Sequence, residues 1–213
     1  MSCHRNRGHG IFFVGLYSGS VLYFALANAN RWAKSVSSGR QRISIMLVTI
    51  LLGIMMMAGL FLLLLGGVGF IQQKKFFSSA PQEVQDVVPD SMPERFAGQY
   101  AVGWVMIIVA IFMMLGAMVL GAWDGIENGF TFWQFFVRFL VMILMLKAYD
   151  ILFFDWVLLC NAGFNFFPHF YPETKAVLGH YLFGYNKKTH ITHIICAFPL
   201  SALLAWICTL FVK

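Results

Sequence analysis

Residues 43–71 form an apolar run of 29 residues that contains no charged side chain. A helix needs only ~20 such residues to cross the hydrocarbon core of a bilayer. Two further runs, 100–122 and 191–212, also lack Asp, Glu, Lys and Arg. The chain as a whole is 60% hydrophobic and 11% charged, whereas soluble domains carry about 25% charged residues. Because a soluble core of this size cannot hide so much apolar surface, the sequence predicts a membrane protein.

The apolar runs predict an all-α fold, a polytopic bundle of transmembrane helices that forms a single membrane domain over residues 1–213. A run with no charge must satisfy its backbone polar groups internally, which a helix does. Five spans are expected, at approximately these positions: 11–29, 43–71, 100–122, 138–162 and 191–212.

The first run, 11–29, has two interpretations. Arg5 and Arg7 precede it, and Ala25-Leu-Ala27 lies near its end. A basic start, an apolar middle and small residues at the end are the parts of a secretory signal peptide. The small residues are still flanked by apolar ones, however, and the run is long enough to span. An uncleaved helix is therefore the favoured interpretation, and a bundle of four spans is the alternative.

Two long connecting segments, 72–99 and 163–190, are expected on the same face of the bundle, because two spans separate them along the chain. The first contains three prolines and four acids, which predicts a solvated and partly irregular segment. The second is rich in aromatic residues and suits the interfacial zone of a bilayer, where such rings are enriched.

The net charge of +6 comes from short groups of Lys and Arg beside the apolar runs. Juxtamembrane charges are placed in this way, so the expected partner is the lipid bilayer and no nucleic acid is expected. The chain is small for a complete transporter, which favours a homo-oligomer or an association with other membrane subunits.

The sequence Lys147-Ala-Tyr-Asp-Ile-Leu-Phe-Phe-Asp-Trp156 places three charges inside an apolar run. An ionised group at the bilayer centre costs at least ~2.5–3.5 kcal/mol, so each group needs a partner. Lys147 and Asp150 are three residues apart and can pair on one helical face. Asp155 lies about 140° around a regular α-helix from Asp150, so its partner must come from another helix.

The last apolar run supplies that partner. It opens with Thr189-His-Ile-Thr-His193, in which Thr189 is a plausible N-cap, and both histidines lie near the depth of Asp155. We expect Asp155 to meet His193 or His190. Three roles stay open: a structural lock between helices, a proton or ion relay, and a metal or catalytic site formed by Asp155, His190 and His193.

Smaller features carry further expectations. Residues 131–137, with Trp133, are expected at the membrane interface ahead of the crossing segment, and residues 123–127 are expected to form a charged turn. Ala117 and Gly121 form a small-xxx-small pair that permits close helix approach. Pro199 is expected to kink the last helix.

The C-terminal third resembles a group of uncharacterised bacterial polytopic integral-membrane proteins. The resemblance is carried by "YDILFFDWVLLC", by the aromatic, proline-containing loop after it and by "HITH" at the start of the last helix. It implies a multi-pass protein of the bacterial cytoplasmic membrane and carries no activity, cofactor or site role.

The expected function is that of a membrane component that handles a proton, an ion or a small solute, alone or within a complex. One alternative is a membrane-embedded, metal-dependent enzyme that acts on a lipid, and another is a purely structural or accessory subunit. The sequence contains no GxSxG, Walker or HExxH motif, and it leaves both enzymatic activity and cofactor open.

Overall fold

A computed structural model describes residues 41–77, 80–160, 165–178 and 186–212. The predicted span 11–29 lies outside these residues. The chain divides into two compact units, Met1–Leu47 and Val48–Lys213, and all contacts given below lie within the second. The helices are α1 (Gln41–Ile71, π-helical over Leu65–Ile71), α2 (Gln82–Val87), α3 (Gln99–Glu127), α4 (Phe132–Tyr149), a π-helical segment (Asp150–Cys160), α5 (Phe166–Phe170) and α6 (Lys187–Thr209).

Three of the described helices are long and apolar enough to cross a membrane: α1, α3 and α6. They correspond to the predicted spans 43–71, 100–122 and 191–212. The predicted span 138–162 is helical as far as its end is described, since α4 continues directly into the π-helical segment. That it crosses a membrane stays a prediction. The last helix contains Pro199 and is continuous on both sides of it.

Glycines set the distance between α1 and α3. A Cβ atom placed on Gly103 of α3 would lie 2.6 Å from Cγ1 of Ile71 and 3.0 Å from the carbonyl oxygen of Gly66. Backbones that approach this closely leave no room for a side chain, which is how small residues permit tight helix packing in membranes. Ala117 and Gly121, further along α3, are both buried, as the small-xxx-small pattern indicates.

The segment 72–99 differs from the solvated, irregular segment that was predicted. Its described part contains a 3₁₀ turn (Lys74–Phe77) and helix α2, and Phe77, Val84 and Val88 are buried. The acids and prolines suggested solvent exposure because composition does not reveal which face of a short helix is covered. The buried residues turn inward and form a hydrophobic cluster with Val68 of α1.

The cluster is completed by the described part of the second loop. The ring of Phe77 lies 5.6 Å from that of Phe167 and 4.8 Å from that of Tyr171, measured between centroids. Such tilted and edge-on pairs are the favoured aromatic geometries. Burial raises the pKa of the Tyr171 phenol, which keeps that group neutral. We call the packed segments 72–98 and 165–178 the cap.

Buried amides anchor the cap to the helices. Nε2 of Gln99, at the start of α3, donates to the carbonyl oxygen of Phe70 at 2.7 Å and to Oε1 of Gln72 at 2.9 Å. The backbone N–H of Arg95 donates to Oε1 of Gln99 at 2.8 Å, and Nη2 of Arg95 donates to the carbonyl oxygen of Phe170 at 3.2 Å. These bonds satisfy polar groups that would be costly to bury alone.

The other end of the helices is closed by a short connection. The predicted charged turn at 123–127 is wrong, because α3 continues to Glu127. The turn falls on Asn128–Phe130, with Gly129 at φ 62°, a conformation that glycine adopts without strain. Thr131 and Gln134 then form a capping box that starts α4.

The close approach of α1 and α3 predicts opposite effects for two Gly→Ala substitutions in one helix. Gly103→Ala forces a shift of Ile71 or Gly66, and we expect it to lower the free energy of unfolding by about 1–3 kcal/mol. Gly116→Ala meets only the methyl carbon of Met55 at 3.7 Å. It should be neutral or stabilising by up to about 1 kcal/mol. Unfolding of the purified protein in detergent measures both, and equal effects would contradict the packing.

Candidate functional site

Lys147 and Asp150 form the ion pair that their spacing predicts. Nζ of Lys147 lies 2.5 Å from Oδ2 of Asp150. Both side chains are half-buried, with 15% and 31% of their surface exposed. The pair lies where α4 passes into the π-helical segment, so it marks the change in backbone register. One helix therefore neutralises both charges, and no second helix is needed.

The π-helical segment changes the relation between the two acids. In a regular α-helix Asp155 would face about 140° away from Asp150. In a π-helix the hydrogen bonds run from residue i to residue i+5, so residues five apart follow one another along the same side. The sequence argument assumed α-helical geometry, and its separation of Asp150 from Asp155 is wrong for that reason.

Asp155 contacts His190 of α6. Its Oδ2 meets Nε2 of the imidazole, and 7% and 6% of the two residues are exposed. The partner of Asp155 is thus the first of the two predicted histidines. His193 lies three residues further along α6 and is exposed. The contact joins the π-helical segment to α6 inside the structure, where a carboxylate alone would be costly.

The second ring nitrogen of His190 has a distinct environment. Nδ1 is buried, and no described group makes a hydrogen bond to it. A buried imidazole nitrogen without a protein partner is an unusual feature that asks for a ligand, a water or a role in chemistry. Nδ1 is therefore the atom of the site with unused hydrogen-bonding capacity in the described part of the chain.

All five predicted site residues line one cavity: Lys147, Asp150, Asp155, His190 and His193. Its volume is about 140 Å³. Asn186 and Thr189 add polar groups where α6 begins, and side chains of α1 and the cap form the apolar walls. A water needs roughly 10–15 Å³ of such space and two to four polar partners, so the cavity has room for several waters or one small polar solute.

The predicted metal role finds less support in the geometry. Within residues 41–77, 80–160, 165–178 and 186–212, no three His, Cys, Asp or Glu side chains converge as a metal centre requires. The contact of Asp155 with His190 leaves His193 aside, and Asp150 is already paired with Lys147. The described residues thus offer a carboxylate–imidazole pair and a separate ion pair around one space.

Sequence reasoning missed a second charged network, centred on Arg138. This residue was placed at the membrane interface, but only 2% of it is exposed. Its Nη1 lies 2.6 Å from Oδ2 of Asp124 and donates to the carbonyl oxygen of Gly121 at 2.8 Å, while Nε donates to Oγ1 of Thr49 at 3.2 Å. The guanidinium also lies 4.4 Å from the centre of the Phe130 ring.

A signal for this network was present in the sequence. Asp124 and Arg138 stand seven residues before and after Thr131. Two antiparallel helices joined by a short turn bring such positions opposite each other. Once the turn is placed at 128–131 rather than at 123–127, the pairing follows. The network binds α1, α3 and α4 together at the end of the molecule away from the cap.

Comparison with known proteins gives no relative: the chain matches no protein-family profile, no curated protein and no solved structure.

The Arg138 network predicts unequal costs for its two charged members. Asp124→Asn removes the counter-ion of a guanidinium that is buried almost completely, and we expect a loss of about 3 kcal/mol or more in the free energy of unfolding. Arg138→Met leaves a carboxylate that is 33% exposed, and about 1–2 kcal/mol should be lost with the hydrogen bonds. Glu127→Gln, at an exposed site, should change stability by less than about 0.5 kcal/mol. A larger loss for Arg138→Met than for Asp124→Asn would contradict the burial.

Proposed function

We propose that the protein is a multi-pass integral membrane protein. Three helices that are long and apolar enough to span support this. Large apolar side chains on their outer surfaces also support it; Phe112 is 72% exposed and Val119 is 64% exposed on α3. Exposed apolar area of this extent needs a bilayer or a partner to cover it. We place α4 with the π-helical segment as a further span and 11–29 as the fifth.

The bacterial cytoplasmic membrane is the proposed location, on the resemblance of the C-terminal third. A homo-oligomer or an assembly with other membrane subunits is also part of the proposal. Its support is the small size of the chain, 213 residues, and the outward apolar faces of α3 and α6. Neither bears on the chemistry of the site.

We propose further that the protein handles protons, with Asp155 and His190 as the relay. The observation that carries this is the single cavity of about 140 Å³ lined by these two residues and by Lys147, Asp150 and His193. Imidazole is the side chain whose ordinary pKa is nearest to neutral pH, and a carboxylate beside it exchanges protons with it. Ionisable groups inside membrane segments mark ion pathways and proton relays.

The geometry suggests an order for the groups. His190 contacts Asp155 through Nε2, while Nδ1 has no described partner. A proton that arrives at Nδ1 from water in the cavity would let Nε2 release its own proton to the Asp155 carboxylate. The two nitrogens of one ring thus serve as entry and exit. Lys147 and Asp150 set the charge at the other side of the same space.

Proton flux into vesicles tests the proposal. The full-length protein is reconstituted into phosphatidylcholine vesicles that contain a pH-sensitive dye, and an outward potassium gradient with valinomycin drives proton entry. We expect flux above that of protein-free vesicles. Asp155→Asn should lower it about tenfold or more, the loss typical of removing one proton-transfer group. His190→Gln should lower it as well, whereas Glu127→Gln and His169→Gln, at exposed sites, should not.

The Asp155→Asn variant also separates the relay from a structural lock. The amide oxygen of Asn can still accept a hydrogen bond from Nε2 of His190 but cannot accept the proton. We therefore expect the unfolding midpoint to change little while the flux falls. Wild-type flux equal to that of empty vesicles would overturn the proposal. So would an Asp155→Asn variant that keeps full flux.

A further inference from the structure

A second cavity adjoins the polar one on the side of α4 and α6. Its volume is about 230 Å³, and it is open on one side. The apolar lining comes from three helices: Leu60, Ile143, Leu144, Leu146, Ile194 and Ala197. Lys147, Asp150 and His193 line it at its polar end and also line the first cavity. The groove is thus an apolar channel with a polar end.

The polar end has more hydrogen-bond donors than acceptors. The ammonium of Lys147 carries three N–H groups, and Asp150 is the acceptor that the structure gives it, at 2.5 Å. The imidazole of His193 is exposed and has no printed hydrogen bond or ion pair to any described residue. The groups that face the groove can therefore hold an acceptor head with two oxygens.

The depth of the polar end indicates the size of that head. His193 follows Lys187, the first residue of α6, by six positions, which is about 9 Å along a helix. The phosphates of a bilayer lie in its outer polar zone. A head that reaches His193 and Lys147 lies deeper than that zone and must carry little polar volume. A carboxylate meets this condition and accepts from an ammonium with favourable geometry.

We propose that this groove binds a long-chain carboxylic acid, with the chain along the apolar lining and the carboxylate at Lys147 and His193. Burying each methylene of the chain contributes to affinity, and the head fixes its position. The proposal goes beyond proton handling. It needs the helices to lie in a bilayer, but it does not need proton transfer, because binding at equilibrium and flux are measured separately.

Binding of palmitic acid tests the proposal. The full-length protein, in phosphatidylcholine nanodiscs, is titrated with radiolabelled palmitate, and unlabelled hexadecanol and hexadecyl phosphate compete for it. We expect saturable binding of palmitate. Hexadecanol should bind about tenfold more weakly or worse, because it lacks a charge-assisted bond to Lys147. Lys147→Gln should weaken palmitate by a similar factor and leave hexadecanol almost unchanged.

Two adjacent isoleucines of α6 give a matched control. Ile194 lines the groove, whereas Ile195 is 63% exposed on the outer surface. Ile194→Trp should fill the groove and weaken palmitate about tenfold or more, and Ile195→Trp should leave binding within about twofold. Ile143→Trp blocks the groove from α4 and serves if the first variant does not fold, as judged by its elution profile and unfolding midpoint.

Several results would overturn the assignment. They are the absence of saturable palmitate binding, equal binding of hexadecanol, tighter binding of hexadecyl phosphate, and normal palmitate binding by folded Ile194→Trp and Ile143→Trp. An effect of Ile195→Trp as large as that of Ile194→Trp would also remove the groove as the site. Loss of palmitate binding with intact proton flux would overturn this inference alone.

Discussion

The contact between Asp155 and His190 is the interaction on which the site depends. It joins the π-helical segment Asp150–Cys160 to α6, and both partners are buried. Removing one partner would leave a polar group in an apolar setting, which costs more than the net gain from making the bond. The cavity exists because these two elements are held side by side, with the Lys147–Asp150 pair directly before the segment.

A second charged network does the same for the opposite end. Arg138 reaches Asp124, Gly121 and Thr49, so one guanidinium connects three helices. Its five N–H donors in a fixed plane suit such a role better than an ammonium would. The two networks lie on the same continuous run, α4 and the π-helical segment. That run is fixed at both ends by charges rather than by apolar packing alone.

Several features could be predicted from the sequence because their physical cause is local. The Lys147–Asp150 pair follows from three-residue spacing, and the three described helices that can span follow from uncharged length. The meeting of Asp155 with a histidine of α6 could be predicted because a carboxylate in an apolar run demands a partner, and few were available. The choice of His190 over His193 could not, because it depends on how far α6 slides along its neighbour.

Other features needed the coordinates. The burial of Phe77, Val84 and Tyr171 in the cap depends on contacts between segments about 90 residues apart in the chain, which no local pattern reports. Arg138 was assigned to an interface because arginine usually reaches polar surroundings there. The position of the turn after Glu127, an error of a few residues, was enough to hide its partner Asp124.

The π-helical segment has a consequence for chain length. In an i to i+5 ladder, the number of residues between Asp150 and Asp155 decides on which side Asp155 emerges, whatever those residues are. Substitutions at 151–154 keep the count and so leave the direction of the carboxylate intact. Deletion of a single residue there would return the backbone toward an α-helix and turn Asp155 away from α6. Segment 150–160 should thus tolerate changes of identity far better than changes of length.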